Sequence, residues 1–130
     1  MTARILFVDD NEDILDIFPD FIAKRVRGIE IVTARNGEEA LFIVKNSLMA
    51  GIRRISLVIS DVVMTGMSGL DLAAEIRRIS ADIPVVLLTA YDTAAVKKRA
   101  EALGIKEILS KTTGFDIIAR RIETILKINT

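Results

Sequence analysis

Five residues capable of chemistry share one kind of position. Asp9 and Asp10 follow the apolar run "ILFV", Asp61 follows "LVIS", Thr89 follows "VVLL" and Lys111 follows "EILS". Each stands where an apolar segment stops. Asp is a good turn residue and helix cap, so each carboxylate taken alone has an ordinary explanation. Asp10 alone reads as the cap of the segment that follows it. Asp61 alone is balanced between a turn and a chemical role. Asp9, at the end of a buried run and beside a second Asp, lacks such an explanation.

Three carboxylates in one place would be costly. Two of them about 4 Å apart repel by roughly 4 kcal/mol at an effective dielectric near 20. Such a cluster needs a proton, a bridging cation or a paired Lys. Ionisation at neutral pH argues for a divalent cation. Mg2+ fits, because it takes few protein oxygens and keeps waters or phosphate oxygens as its remaining ligands. Asp is also a competent nucleophile that can form an aspartyl-phosphate. A cation and an ammonium beside it would stabilise charge on a transferring phosphoryl group.

The composition narrows the chemistry further. The 130 residues contain no Cys and no His. Disulfides, thiolate catalysis and zinc–thiolate sites are excluded, as are the usual general base and a Ser–His–Asp arrangement. Charges balance at 18 basic against 18 acidic, which gives no case for nucleic acid or an anionic membrane as a direct partner. No apolar run reaches the roughly 18 residues of a membrane-spanning helix. "MTARILFVDD" lacks a secretory pattern, since Asp9 and Asp10 interrupt it. The expectation is a cytoplasmic chain with a single domain over 1–130.

The elements that must position these residues alternate in kind. Short β-rich runs occupy 4–8, 29–34, 55–60, 84–89 and 105–110. Helical patterns fill 12–27, 37–49, 69–80, 92–103 and 115–128. Alternating strands and helices predict βαβ units and a parallel sheet covered on both faces, an α/β fold. In an open parallel sheet, ligands bind outside the carboxyl ends of the strands, where the strand order switches. With five strands in the order 2-1-3-4-5, the first and third are neighbours there. Asp9, Asp10 and Asp61 then converge, with Thr89 and Lys111 from the next strands along. Pro19 conflicts with the first helical pattern and predicts a kink or break, at a cost of roughly 3 kcal/mol if unrelieved. Gly51 and Gly104 follow helices, where a positive φ is useful. Lys97, Lys98 and Arg99 read as a solvated helix face.

The segments "ILFVDDNE" (5–12), "TARNGEEAL" (33–41), "LVISDVVMTGMSGLDL" (57–72), "IPVVLLTAYD" (83–92) and "ILSK" (108–111) resemble, in order and spacing, the receiver domain of bacterial two-component response regulators. The resemblance spans nearly the whole chain and implies a doubly wound, flavodoxin-like fold. It implies that Asp61 accepts a phosphoryl group from a phosphohistidine on a sensor kinase or phosphotransfer protein. Asp10 and Asp61 look like direct Mg2+ ligands, with Asp9 acting through water and the Val63 carbonyl as a further ligand. Thr89 matches the hydroxyl that swings toward the phosphoryl group, and Lys111 the amine that pairs with the acceptor and then with a phosphoryl oxygen.

The chain departs from the family pattern in ways that bear on switching. Thr65 stands where the family usually has Pro, leaving the loop freer and adding a donor. Thr112 follows Lys111 where the family has a cis Pro, so a trans bond and a changed path are expected. Ile108 stands in place of the usual aromatic, which puts the Thr–aromatic coupling in doubt. Val63 and Tyr91 are expected to flank the acceptor's mouth and to slow hydrolysis of the phosphoryl group. Gly66 and Gly69 read as structural.

The leading reading is a phosphorylation-switched signalling module, not an enzyme acting on a separate substrate. Phosphoryl addition would shift an existing equilibrium on the face of the fourth helix, fifth strand and fifth helix. It would act on an unknown downstream protein, as a monomer or weak dimer, with no membrane contact. No output domain follows residue 130. The initial Met favours a native start, and the end at "KINT" leaves a stand-alone module and a piece of a longer chain both open. The alternative is a receiver-like adaptor that binds partners without phosphorylation. A small phosphatase is disfavoured because "DDNED" does not match a DxDx[TV] nucleophile pattern. Flavin binding is disfavoured because the first turn lacks a phosphate cradle.

Overall fold

The computed structural model describes residues 3–49, 51–90, 94–105 and 107–128, with the backbone alone at Ile128. Five strands alternate with five helices: β1 (Ala3–Val8), α1 (Glu12–Arg25), β2 (Ile29–Ala34), α2 (Gly37–Ser47), β3 (Leu57–Asp61), α3 (Gly69–Ile79), β4 (Val85–Thr89), α4 (Ala94–Ala102), β5 (Glu107–Ser110) and α5 (Phe115–Ile128). All pairings are parallel, and the order is β2-β1-β3-β4-β5, as the sequence predicts.

Register decides which side chains share a face. Alternation along a strand sends successive side chains to opposite sides. Ile5 and Phe7 of β1, Leu57 and Ile59 of β3, and Val86 and Leu88 of β4 bury against α1 and α5. Leu6, Val8 and Val58 face the other way, with Val44 of α2 and Leu72 and Ile76 of α3. Leu87 takes that second side too, in a smaller cluster with Leu70 and with Ala100 of α4. Burial on both faces accounts for the nearly unbroken apolar strands. The expected stripe on α5 is in place: Ile118, Ile122, Ile125 and Leu126 are buried and Phe115 is half-buried.

At Pro19 the sequence predicts a kink or a break. No break occurs, and α1 runs without interruption from Glu12 to Arg25. The carbonyl of Leu15 loses its i+4 donor, yet tertiary contacts hold the helix on either side of the gap. Phe18 stacks on Phe7 with ring centroids 4.2 Å apart and meets Phe115 edge-on at 5.3 Å. Ile22, one turn on, is fully buried. Packing of this amphipathic face outweighs the local cost.

Helices α1 to α4 end one or two residues earlier than the periodicity suggests, α5 ends where it predicts, and β3 runs through Asp61. Gly51 and Gly104 adopt φ of 81° and 75°. Arg99 does more than face solvent, since it pairs with Asp71 at 2.6 Å and ties α4 to α3.

Candidate functional site

Asp9 is the first residue past β1, and Asp61 is the last of β3. β1 and β3 are neighbours, paired from Ile5↔Leu57 to Val8↔Ser60. The two side chains therefore meet at the carboxyl edge of the sheet. Both are buried, Asp9 completely and Asp61 to 8% exposure, whereas Asp10 is exposed. One carboxylate oxygen from each of Asp9, Asp10 and Asp61 can be chosen so that the three lie within 4.8 Å of one another. These are hard oxygen donors spaced closely enough to share one small divalent cation, so the residues present fit such an ion.

Lys111 enters this cluster from the far side. It begins a single 3-10 turn, Lys111–Thr113, directly after β5. Its Nζ donates to Asp61 Oδ2 at 2.9 Å and to Asp9 Oδ2 at 3.0 Å. No cis peptide occurs among the described residues, so the Lys111–Thr112 bond is trans. The turn is held locally. The Thr112 N–H donates to Ser110 Oγ at 3.2 Å, and the two hydroxyls lie 2.7 Å apart.

Burial raises the Asp61 carboxyl above its usual range, against the opposing hydrogen bond and charge of Lys111. Burial also opposes charge on Lys111. Its bonds to Asp61 and Asp9 and the charges of both carboxylates outweigh that, and the amine is pushed up. The site thus holds a firmly protonated amine beside a carboxylate that is costly to ionise.

Asp10 does not cap α1. Asn11 does, its side-chain oxygen accepting from the Ile14 N–H at 3.2 Å. The Asn11 N–H in turn donates to Asp9 Oδ1 at 3.0 Å. Asp10 points across the sheet edge instead. Its Oδ2 accepts from the Thr65 N–H at 2.9 Å and from Thr65 Oγ1 at 3.2 Å. Thr65 does not leave its loop freer, as the sequence suggests. It fastens the β3–α3 loop to Asp10 with two donors.

Thr89 ends β4, is 1% exposed, and pairs in register with Ser110. By strand alternation it shares the side of Leu87, toward α3 and α4, while Asp61 shares the side of Ile59, toward α1 and α5. Ile108 is half-buried on Thr89's side and packs with the Leu87 cluster. Val63 is 61% exposed beside the acidic cluster; Tyr91 lies outside the described residues.

Gly69 bears on the site more directly than a helix-start residue would suggest. A Cβ there would lie 2.0 Å from the Asp61 carbonyl oxygen, and the Gly69 N–H donates to the Val62 carbonyl at 2.9 Å. The start of α3 thus presses on the backbone that carries Asp61. A lone Gly in the sequence carries no sign of which backbone it touches.

Among the described residues, no helix is long and apolar enough to cross a membrane. Known proteins match this arrangement throughout. A model of the response regulator receiver domain matches residues 5–123. The chain is 33% identical over 111 residues to the uncharacterized transcriptional regulatory protein YrkP of Bacillus subtilis, covering 85% of this chain and 44% of that protein. It is 30% identical to the transcriptional regulatory protein GlrR of Escherichia coli, covering 96% of this chain and 26% of that protein. The chain thus spans less than half the length of these curated relatives. Among solved structures, the response regulator TrrA of Thermotoga maritima, in complex with Mg2+ and BeF, is 34% identical. It has a TM-score of 0.80 and covers 95% of this chain and 99% of that one. A response regulator receiver domain protein of Clostridium thermocellum is 27% identical with a TM-score of 0.84, covering 97% and 95%.

Proposed function

We propose a function from one premise: the chain belongs to the response regulator receiver domain family. In this reading it is a phosphorylation switch in a two-component phosphorelay. Asp61 accepts a phosphoryl group from a phosphohistidine on a sensor kinase or phosphotransfer protein, and the change in charge alters binding to a downstream protein. The observation that carries it is Lys111 donating to both Asp9 and Asp61 at the end of neighbouring strands.

Asp10 and Asp61 would hold Mg2+ directly, Asp9 through water, and the Val63 carbonyl would supply a further oxygen. Bound there, the cation neutralises charge on the cluster and on the incoming phosphoryl oxygens. The chain's own residues do the rest. An Asp61 carboxylate oxygen attacks phosphorus, an O–P bond forms, and the N–P bond breaks with its electron pair returning to the donor imidazole. Lys111 follows the negative charge from the Asp61 oxygen to a phosphoryl oxygen. Asp9, still paired through Oδ1 to the Asn11 N–H, keeps its orientation. Thr89 then turns its hydroxyl toward the phosphoryl group. The modification replaces one carboxylate charge by a phosphoryl group carrying roughly −1.5 to −2, where burial already resists a single charge.

The chain is read as turning over no separate substrate, as cytoplasmic, and as a monomer or weak dimer. The adaptor reading, without phosphorylation, gains no support from the site. Incubation with Mg2+ and acetyl phosphate, followed by intact mass, tests the proposal. A labile adduct of one phosphoryl group in the wild type and none in Asp61→Asn is expected. An unmodified wild-type chain with no affinity for Mg2+ would sink the proposal.

A further inference from the structure

The double contact between Thr65 and Asp10 has no counterpart at the other two carboxylates of the cluster. Asp9 and Asp61 are buried and share the ammonium of Lys111. Asp10 is exposed in the β1–α1 loop, where a carboxylate with no partner is free to rotate. Thr65 removes that freedom with a backbone N–H and a hydroxyl, both directed at Oδ2. A carboxylate offers about four lone-pair sites over two oxygens, so Thr65 leaves Oδ1 uncommitted.

The contact also fixes the other partner. Thr65 lies in the seven-residue loop between Asp61 and Gly69, whose other anchors include the buried Val62 and Met64, Met67 packed on the second core cluster, Ser68 capping α3, and the Gly69 N–H bonded to the Val62 carbonyl. Val63 lies between those two buried residues and is itself exposed. Tying Thr65 to Asp10 therefore sets the β1–α1 and β3–α3 loops at one spacing. Both loops would supply oxygens to the cation.

We propose that Thr65 is a positioning residue for the cation site: it pre-orders Asp10 and the Val63-bearing loop so that a divalent cation meets oxygens already in place. The inference rests on the reading of the cluster as a Mg2+ site. Ordering done before binding is not charged against affinity, so losing it weakens binding without removing any ligand. Thr65→Val deletes the hydroxyl and keeps the N–H. Thr65→Pro deletes both donors. Thr65→Ser retains both.

Calorimetric titration of Mg2+ into the full chain tests this, with Mn2+ titrated by electron paramagnetic resonance alongside. Thr65→Val is expected to bind about three- to tenfold more weakly, a span set by the net contribution of one ordinary, solvent-exposed hydrogen bond. Thr65→Pro is expected to lose more, and Thr65→Ser to stay within about twofold of wild type. Amide exchange at residues 62–67 in the absence of cation should quicken in Thr65→Val, although the exposed substitution leaves the unfolding temperature unchanged. Wild-type affinity, or tighter, in Thr65→Val overturns the inference while the Mg2+ reading stands. A wild type that binds neither cation overturns both.

Discussion

Lys111 donates to Asp61 at 2.9 Å across the end of β4, a strand to which neither residue belongs. Neighbouring strands lie about 4.8 Å apart, so the four-carbon stem of the lysine spans the gap between β3 and β5. Removing the ammonium leaves two buried carboxylates facing each other. Lys111→Met should destabilise the fold by about 1–3 kcal/mol at pH 7 in urea unfolding, the lower end reflecting a partly open site. Saturating Mg2+ should restore part of that loss, because a cation at 100 times its Kd adds about 2.7 kcal/mol. Since the folded Lys111 amine is raised, its contribution is complete below the ordinary lysine range and is lost as pH rises through the folded value. A Lys111→Met chain as stable as wild type without cation would show that the pair contributes nothing.

Asp61→Asn should stabilise the metal-free chain by on the order of 1 kcal/mol while abolishing the phosphoryl adduct. Burial raises the folded carboxyl above its unfolded value, so the folded state binds the proton more tightly in that window. Stability from this group is then greatest in acid and is lost as pH rises through the folded value. The advantage of Asp61→Asn should therefore be largest near neutrality and shrink toward pH 4. Thermal unfolding across that range measures it, and an Asn variant less stable than wild type at pH 7 contradicts it.

Gly69 and Gly66 should separate two kinds of glycine requirement. Gly69→Ala drives a methyl toward the Asp61 carbonyl, with backbone on both sides of the clash. It should cost about 1–3 kcal/mol and slow phosphorylation, because the displaced atom belongs to the acceptor residue. Gly66→Ala meets open space but carries φ of +79°. It should cost about 1–2 kcal/mol through strain alone. Equal phosphorylation rates for the two variants would refute the distinction.

Much of this architecture could be read from the sequence because one physical rule covers it. A parallel sheet is apolar until its strands end, so Asp9, Asp61, Thr89 and Lys111 marked the element boundaries, and three of them, Asp9, Asp61 and Lys111, meet there. The cap of α1 was less legible, since Asp10 and Asn11 are both good capping residues and only geometry chooses Asn11. Thr65 was harder still. Its partner lies 55 residues away, and nothing local shows that a loop hydroxyl reaches it. Pro19 was legible only in part: its missing donor is local, whereas the aromatic packing of Phe18 beside it, which favours an unbroken α1, is not.

The proline inside an unbroken helix yields its own test. Pro19→Ala should restore a donor for the Leu15 carbonyl and stabilise α1 by about 1–3 kcal/mol, read from the urea midpoint. Unchanged or lowered stability would mean that proline's restriction of the unfolded chain offsets the missing bond.

Four of the five phenylalanines crowd one side of the sheet: Phe7 on Phe18, Phe18 and Phe21 on Phe115, with Arg25 laid over the Phe21 ring at 3.4 Å. On the opposite side, α4 packs through the buried Ala100 and the half-buried Val96. The ring contacts are therefore confined to the α1 and α5 side, while the other side is packed mainly by aliphatic residues of α2, α3 and the strands. Phe18 thus links β1 to α5 through α1, a chain of ring contacts among three elements far apart in sequence.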